Sequence, residues 1–246
     1  MAAIDTILVD FGGTLDVPGG HWLDRFLRHY QAAGWRLSRD ELDRAFAHAT
    51  ALGYRTGRTA WQWDLERLMD HLVTWQIAYL RASLPERCPP GEILATAIAA
   101  PFCAESRSGL ARSRAILEPL AAEYRIGVVS NFYGNLEAVL QDAGLLPMVS
   151  AVVDSSQVGV FKPDPEIYRI ALRRLGASAD RTLMVGDSLD KDCAPARLLG
   201  MATAWLTTQD NASIDRRTDY LVHGLEELIP LCERANSRSH ISRRAG

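Results

Sequence analysis

Short runs of β-branched and aliphatic residues recur along this chain, and most end at glycine, proline or polar residues. Such runs predict buried strands at 4–10, 125–130, 149–153, 182–186, 202–206 and 219–222. Helical patterns separate them at 109–123, 134–143, 165–175, 193–199 and 224–234. This alternation predicts an α/β fold with a doubly wound parallel sheet covered by helices on both faces.

The stretch from His21 to about Glu105 has a helical pattern throughout and no convincing strand. Proline and glycine at 18–20 mark a hinge before it, and a break at 85–90 precedes another predicted helix near 91–99. The sequence therefore predicts an all-helical cap at 17–105, inserted into a core formed by 1–16 and 106–235. The polar, basic segment 236–246 is predicted to be a disordered tail.

Composition excludes several classes of function. Of the 246 residues 48% are apolar, which is ample for a core, and the net charge is −3 without a basic stripe, so nucleic acid is not an expected partner. No apolar run approaches the roughly 18 residues of a membrane span. The first apolar stretch has no basic region before it and carries Asp5 and Asp10, which is untypical of a signal peptide. We expect a cytoplasmic monomer or homodimer, whose four scattered cysteines are reduced thiols.

Polar residues follow the predicted strands at the points where these end. Asp10 follows the first strand, Ser130 and Asn131 close the second, and Asp187 follows 182–186. The carboxyl ends of parallel strands meet at one edge, where ligands bind in open α/β sheets. This arrangement predicts a site for an anionic group held by a cation.

Asp10, Asp187 and Asp192 would place three carboxylates in a small volume at this edge. Such a cluster is costly unless a cation compensates it, and oxygen ligands favour Mg²⁺. Lys162 is one of only two lysines, beside Lys191, in a chain that otherwise uses arginine. A lysine supplies a compact point charge, which suits a phosphate site.

Four segments together resemble the motifs of the haloacid dehalogenase superfamily, most of whose members are phosphatases. They are Asp10-Phe11-Gly12-Gly13-Thr14, Val128-Val129-Ser130-Asn131, Phe161-Lys162-Pro163-Asp164-Pro165, and Val185-Gly186-Asp187-Ser188 with Asp192. They occur in the family's order and cover nearly the whole chain. The resemblance implies a Rossmann-like core, a helical cap, and hydrolysis of a small phosphorylated metabolite through an aspartyl-phosphate.

The resemblance also implies roles for single residues. Asp10 would be the nucleophile, and Lys162 would neutralise it and the transferring phosphoryl group. Phosphate oxygens would be held by Thr14, Ser130 and Asn131, together with Lys162. The implied Mg²⁺ ligands are Asp10, Asp187 and the main-chain carbonyl of Gly12, with Asp192 holding a metal-bound water. Asp190 is expected on the solvated surface.

Gly12 departs from the family pattern, which has a second aspartate there as general acid and base. That acid typically contributes about 10²–10⁴-fold in rate. A phosphatase remains possible with another acid, for which Asp16 and His21 are candidates, or with a leaving group that needs little protonation. A non-catalytic protein that binds phosphorylated metabolites is the main alternative.

Two other branches of the superfamily also lack this aspartate. The phosphonatase branch requires a cap lysine, and residues 17–105 contain none. The 2-haloacid dehalogenase branch works without metal and typically lacks the fourth-motif aspartate, which is kept here as Asp187. In the cap, His21, Arg55 and Arg58 are candidate substrate contacts, whereas the tryptophans are expected to pack in its core.

Overall fold

The computed structural model describes residues 3–56, 60–89, 94–209 and 211–244. The strands are Thr6–Val9 (β1), Arg125–Ser130 (β2), Ala151–Asp154 (β3), Thr182–Gly186 (β4), Ala202–Leu206 (β5) and Tyr220–Val222 (β6). They form one sheet in the order β3-β2-β1-β4-β5-β6, with every neighbouring pair parallel. The predicted doubly wound parallel sheet is thereby confirmed.

The register aligns the ends of the three central strands. Val9 lies opposite Val128 of β2 and Val185 of β4, so the residues after these strands emerge side by side. Successive residues of β1 also serve different cores. Leu8 packs in the smaller apolar cluster on one face, and Ile7 and Val9 pack in the larger cluster on the other. A strand buried on both faces must be apolar throughout, which explains its unbroken aliphatic run.

Helices cover both faces of the sheet and build the cap. They are Trp22–Ala32 (α1), Arg39–Thr56 (α2), Leu65–Ser83 (α3), Thr96–Glu123 (α4), Leu136–Asp142 (α5), Ser155–Val158 (α6), Pro165–Leu175 (α7), Ala194–Leu198 (α8) and Leu228–Arg244 (α9). Helices α1, α2, α3 and the first part of α4 form an insertion between β1 and β2, here called the cap, whose described residues contain no strand. No helix in the described ranges is long and apolar enough to cross a bilayer.

Two sequence predictions about helices are wrong. The helices predicted near 91–99 and at 109–123 are one helix, because α4 runs without interruption from Thr96 to Glu123 and crosses the predicted boundary at 105/106. Pro101 lies in the second turn of α4, so it removes only one helical hydrogen bond there. The predicted start of this helix partly falls on 90–93, which lie outside the described residues.

The other error concerns the carboxyl terminus. Helix α9 continues to Arg244, so the segment after 235 is not a disordered tail as far as this residue. Asn236 is bound to Ile4, two residues before β1: its side-chain Oδ1 accepts from Ile4 N at 2.7 Å, and its Nδ2 donates to Ile4 O at 3.0 Å. These two hydrogen bonds between the Asn236 side chain and the Ile4 main chain tie the helix to the segment that leads into β1.

Candidate active site

Asp10 stands directly after β1, at the carboxyl edge of the sheet. Its amide donates to Val185 O at 2.9 Å, which continues the strand pairing by one residue. The chain then turns sharply away through Gly12 and Gly13. Gly13 has a φ of +79°, and a Cβ there would lie 2.4 Å from Asp187 Oδ2. Glycine is therefore required at 13 both for the backbone conformation and for the close approach of the carboxylate.

Asp10, Asp187 and Asp192 form a carboxylate cluster, as the sequence predicted. One oxygen from each side chain lies within 4.8 Å of the others. Burial raises the pKa of Asp187, and the carboxylates of Asp10 and Asp192 raise it further. The Asp187 carboxylate accepts no hydrogen bond from any described residue, although Trp205 Nε1 fixes its main-chain oxygen at 2.9 Å. An unpartnered carboxylate beside two others suits a cation, so this cluster could hold a metal ion.

Lys162 bridges two members of the carboxylate cluster. Its Nζ lies 2.6 Å from Asp10 Oδ1 and 2.6 Å from Asp192 Oδ1. Burial alone would lower the pKa of Lys162, but the two carboxylates outweigh burial and raise it. Burial also raises the pKa of Asp192, against the opposing charge of Lys162. One ammonium compensates one of three carboxylates, which leaves a net negative charge for a divalent cation to balance.

Asn131 holds the loop that carries Lys162. Its side-chain Oδ1 accepts from Lys162 N at 2.7 Å, and its Nδ2 donates to Lys162 O at 3.0 Å. The amide is thus occupied by main chain, and Asn131 positions Lys162. Sequence reasoning assigned Asn131 to phosphate binding and did not find this role, because motif spacing gives no hydrogen-bond partner.

Ser130 and Thr14 are placed differently. Ser130 is the last residue of β2 and lines the cavity that contains the carboxylate cluster. Thr14 is fully buried behind this cavity and is not among its lining residues. The Thr14 hydroxyl has no hydrogen-bond partner within the described part of the chain. Its implied contact with phosphate stays a prediction.

The cavity has a volume of about 300 Å³ and lies between core and cap. The core contributes the cluster, Lys162, Ser130, Asn131 and Lys191, and the cap contributes residues from α1 and α2. Aromatic rings form much of its wall. They belong to Trp22, Phe46, Tyr54, Phe132 and Tyr133.

Trp22 lies over Gly12, and this contact was not found by sequence reasoning. A Cβ at Gly12 would be 3.2 Å from Trp22 Nε1 and 3.5 Å from Cε2. The indole therefore covers the place where the family's acid would begin. Gly12 itself has no positive φ, so its backbone does not require glycine. Neighbouring packing, and not backbone strain, opposes a side chain at this position.

The prediction of Asp16 as a substitute acid is wrong. Asp16 is fully buried outside the cavity lining, and its carboxylate accepts from Gly13 N, Val17 N and Trp22 Nε1, each at 2.7 Å. Arg25 NH1 adds an ion pair at 2.5 Å. All these bonds hold the turn and the indole in place, so Asp16 is a structural residue.

Of the cap residues predicted to contact substrate, only some lie at the cavity. His21 lines the cavity, and partial burial together with the nearby Lys191 and Arg39 lowers the pKa of its imidazole. Arg55 is exposed and outside the lining, and Arg58 lies outside the described residues. On the core side, Asp190 is a surface residue paired with Arg217 at 2.7 Å, as expected.

Comparisons with known proteins agree with this geometry. A family model described as haloacid dehalogenase-like hydrolase matches residues 4–200. A haloacid dehalogenase-like hydrolase domain-containing protein 3 of Danio rerio is 38% identical over 104 residues, 42% of this chain and 43% of that protein. A glyceraldehyde 3-phosphate phosphatase of Methanocaldococcus jannaschii is 34% identical over 90 residues, 36% and 40% of the two chains. The chain thus spans less than half the length of these curated relatives.

A solved structure of a dehalogenase with an intermediate complex has the same fold. It superposes with a TM-score of 0.62 at 18% identity, over 94% of this chain and 98% of that one. The family model covers most of the sequence, and the sheet order and carboxylate cluster described above lie within its range. The chain belongs to the haloacid dehalogenase-like hydrolases.

Proposed function

We propose that this protein is a magnesium-dependent phosphatase that hydrolyses a small phosphorylated metabolite through an aspartyl-phosphate on Asp10. The observation that carries the proposal is the carboxylate cluster with Lys162 between two of its members, 2.6 Å from each. A lone carboxylate in a cavity would suit many roles. Three carboxylates that share one buried lysine carry an excess of negative charge, which suits them to a metal ion and a phosphate group.

The residues of the chain divide the chemistry between them. Asp10 Oδ1 is held by Lys162, and the second carboxylate oxygen attacks phosphorus while the bond to the leaving oxygen breaks. The leaving oxygen departs with the electron pair and takes a proton from solvent. Water then attacks phosphorus, the Asp10–phosphorus bond breaks, and inorganic phosphate is released. Lys162 reduces the charge repulsion in both steps, because its ammonium faces the nucleophile.

Mg²⁺ would be held by Asp10, Asp187 and the Gly12 carbonyl, and by Asp192 through a water molecule, and when bound it supplies charge stabilisation for phosphoryl oxygens. The relatives support a phosphorylated substrate, since one of them is named a glyceraldehyde 3-phosphate phosphatase. A small substrate fits a cavity of about 300 Å³. The cytoplasmic location and the monomeric or dimeric state stay predictions of the sequence.

A non-catalytic protein that binds phosphorylated metabolites is the second candidate, and Gly12 is the observation that favours it. Dehalogenation is favoured less, because Asp187 and Asp192 are both kept and both lie in the cluster. The likeness to a solved dehalogenase is at 18% identity and shows the fold alone. Measurements of phosphate release separate the phosphatase from the non-catalytic protein.

The test is phosphate release from a panel of monoesters, with Mg²⁺ and with excess chelator. We expect turnover only with Mg²⁺, and also a higher melting temperature with Mg²⁺, because a ligand of the native state stabilises it by mass action. Asp10→Asn should abolish turnover, since the amide has nearly the same shape but is a poor nucleophile. Asp190→Asn is the matched control, because this carboxylate is exposed and outside the cluster, and it should keep wild-type activity.

Full activity in excess chelator would contradict the metal's role. An Asp10→Asn protein that keeps more than a few per cent of the rate would show that Asp10 is not the nucleophile. Absence of turnover on every ester, with Mg²⁺ stabilisation retained, would favour the non-catalytic candidate.

A further inference from the structure

The part of the cavity contributed by the cap carries no charge among the described residues. Its lining residues there are His21, Trp22, Phe46, Thr50 and Tyr54. The charged residues of the lining all belong to the core, where the phosphoryl group is expected. The leaving group must extend from the phosphoryl group towards the cap. It therefore meets aromatic faces, and the cap residues that the structure describes in the lining include no lysine or arginine to hold a second phosphate or a carboxylate.

These rings are held in fixed positions before any substrate binds. Trp22 stacks on Tyr133, with centroids 6.4 Å apart and planes at 20°, and packs edge-on against Phe102 at 5.3 Å. Tyr54 lies 5.2 Å from Tyr133 and 4.9 Å from Phe161 of the core. A wall of this kind binds a flat ring with little ordering cost.

The contact between Trp22 and Gly12 is an independent observation that leads to the same substrate class. With the indole over Gly12, no carboxylate donates a proton to the leaving oxygen from that position. Such a site favours a leaving oxygen that departs as the anion. A phenolic oxygen does so far more readily than an alkyl oxygen, because its conjugate acid has a pKa of about 10, as for tyrosine.

We propose that the substrate is a phosphate monoester of an uncharged aromatic alcohol, an aryl phosphate, whose ring packs against Trp22, Tyr54 and Tyr133. This inference rests on the proposed phosphatase function and adds the substrate class to it. A cavity of about 300 Å³ has room for one ring beside the phosphoryl group. The products are inorganic phosphate and a phenol, which gains its proton from solvent.

Three esters separate recognition of the ring from basicity of the leaving oxygen. Benzyl and cyclohexylmethyl phosphate have alkyl leaving oxygens and similar sizes, so their ratio reports the aromatic wall. Phenyl and benzyl phosphate both carry a ring, so their ratio reports the missing acid. We expect kcat/KM to favour benzyl over cyclohexylmethyl phosphate by about 10-fold. We expect kcat to favour phenyl over benzyl phosphate by about 10²-fold or more.

Substitutions in the aromatic wall test whether it causes the preference for benzyl over cyclohexylmethyl phosphate. Trp22→Leu should bring the ratio of benzyl to cyclohexylmethyl phosphate close to one and leave an advantage of phenyl over benzyl phosphate. Trp61→Leu is the matched control, because this cap tryptophan is 58% exposed and outside the lining, and it should leave both ratios unchanged. Tyr54→Leu replaces Trp22→Leu if the latter does not fold, since Tyr54 is only half-buried.

The outcomes distinguish this inference from the proposed function. Good turnover with equal kcat/KM for benzyl and cyclohexylmethyl phosphate would overturn the aromatic class and leave the phosphatase intact. If no ester is turned over, the proposed function fails. The preference of the site for an aromatic ring can still be tested by the binding of two phosphonates. Benzylphosphonate should then raise the melting temperature in Mg²⁺ more than cyclohexylmethylphosphonate does, and equal shifts would overturn the inference.

Discussion

Replacing Gly12 with aspartate tests whether Trp22 blocks the family's acid. Because Gly12 has no positive φ, the backbone accepts an aspartate without strain. The added Cβ would, however, lie 3.2 Å from Trp22 Nε1, which is closer than ordinary van der Waals contact. The indole cannot retreat freely, since its Nε1 donates to Asp16 Oδ2 at 2.7 Å and its rings pack on Phe102 and Phe132.

The magnitudes follow from this contact. Overpacking of a filled site costs about 1–3 kcal/mol. A change of 1 kcal/mol shifts the melting temperature of a chain of this size by about 2–4 °C, so Gly12→Asp should lower it by about 2–12 °C. A well-placed acid would accelerate hydrolysis of an alkyl ester by about 10²-fold or more. With Trp22 present the carboxylate is displaced, and we expect a gain below about 10-fold.

The assay is a double-mutant cycle on benzyl phosphate, whose alkyl leaving oxygen needs the proton. The four proteins are wild type, Gly12→Asp, Trp22→Leu and the double variant. In the Trp22→Leu background, Gly12→Asp should raise kcat by about 10²-fold, because the indole no longer occupies the space. A full gain in the presence of Trp22 would refute the steric argument. Absence of a gain in both backgrounds would show that protonation of the leaving oxygen does not limit the rate.

Two further substitutions test the charges of the site and of its support. Lys162→Met should lower kcat by about 10²–10³-fold, because it removes the cation beside the nucleophile. Mg²⁺ titrations followed by thermal melting should show that this variant binds the metal no more weakly than wild type. A kcat within tenfold of wild type would contradict this role of Lys162. Arg25→Met should cost about 3–5 kcal/mol, since it leaves Asp16 buried without its cation, and should lower the melting temperature by about 6–20 °C. Arg28→Met is its control, because this side chain is 58% exposed and its ion pair with Glu105 is 3.4 Å long. Its cost in unfolding free energy should stay below about 1 kcal/mol. Equal losses of stability in the two variants would refute the argument that the buried ion pair contributes more.

Local sequence signals were sufficient for much of the core. Helix α7 spans the predicted range 165–175, because Asp164 caps its start, a proline follows, and Gly176 at a φ of +58° ends it. Strand β4 also matches its predicted range. The convergence of Asp10 and Asp187 could be predicted because the ends of parallel strands must meet at one edge, whereas the place of Lys162 beside Asp10 was implied by the family resemblance.

Features created by packing between distant segments could not be predicted in this way. Pro101 and Gly109 are ordinary signals for the end of a helix, but α4 continues through both because its neighbours bury it on both sides of the boundary. The position of Trp22 over Gly12 depends on how the cap docks on the core, and no spacing in the sequence encodes that orientation. The ion pair between Asp16 and Arg25 of α1 also depends on how separate segments pack, so the sequence alone does not distinguish a buried structural carboxylate from a candidate acid.

Helix α4 has a consequence for how the cap is joined to the core. It is one of the two connections between cap and core, and at Gly109 it lies against the other, so closely that a Cβ would be 1.4 Å from Asp16 O. Ser113 Oγ adds a bond to Leu15 O at 2.7 Å. The two connections are therefore in contact where they cross, and even a methyl group at 109 would force them apart.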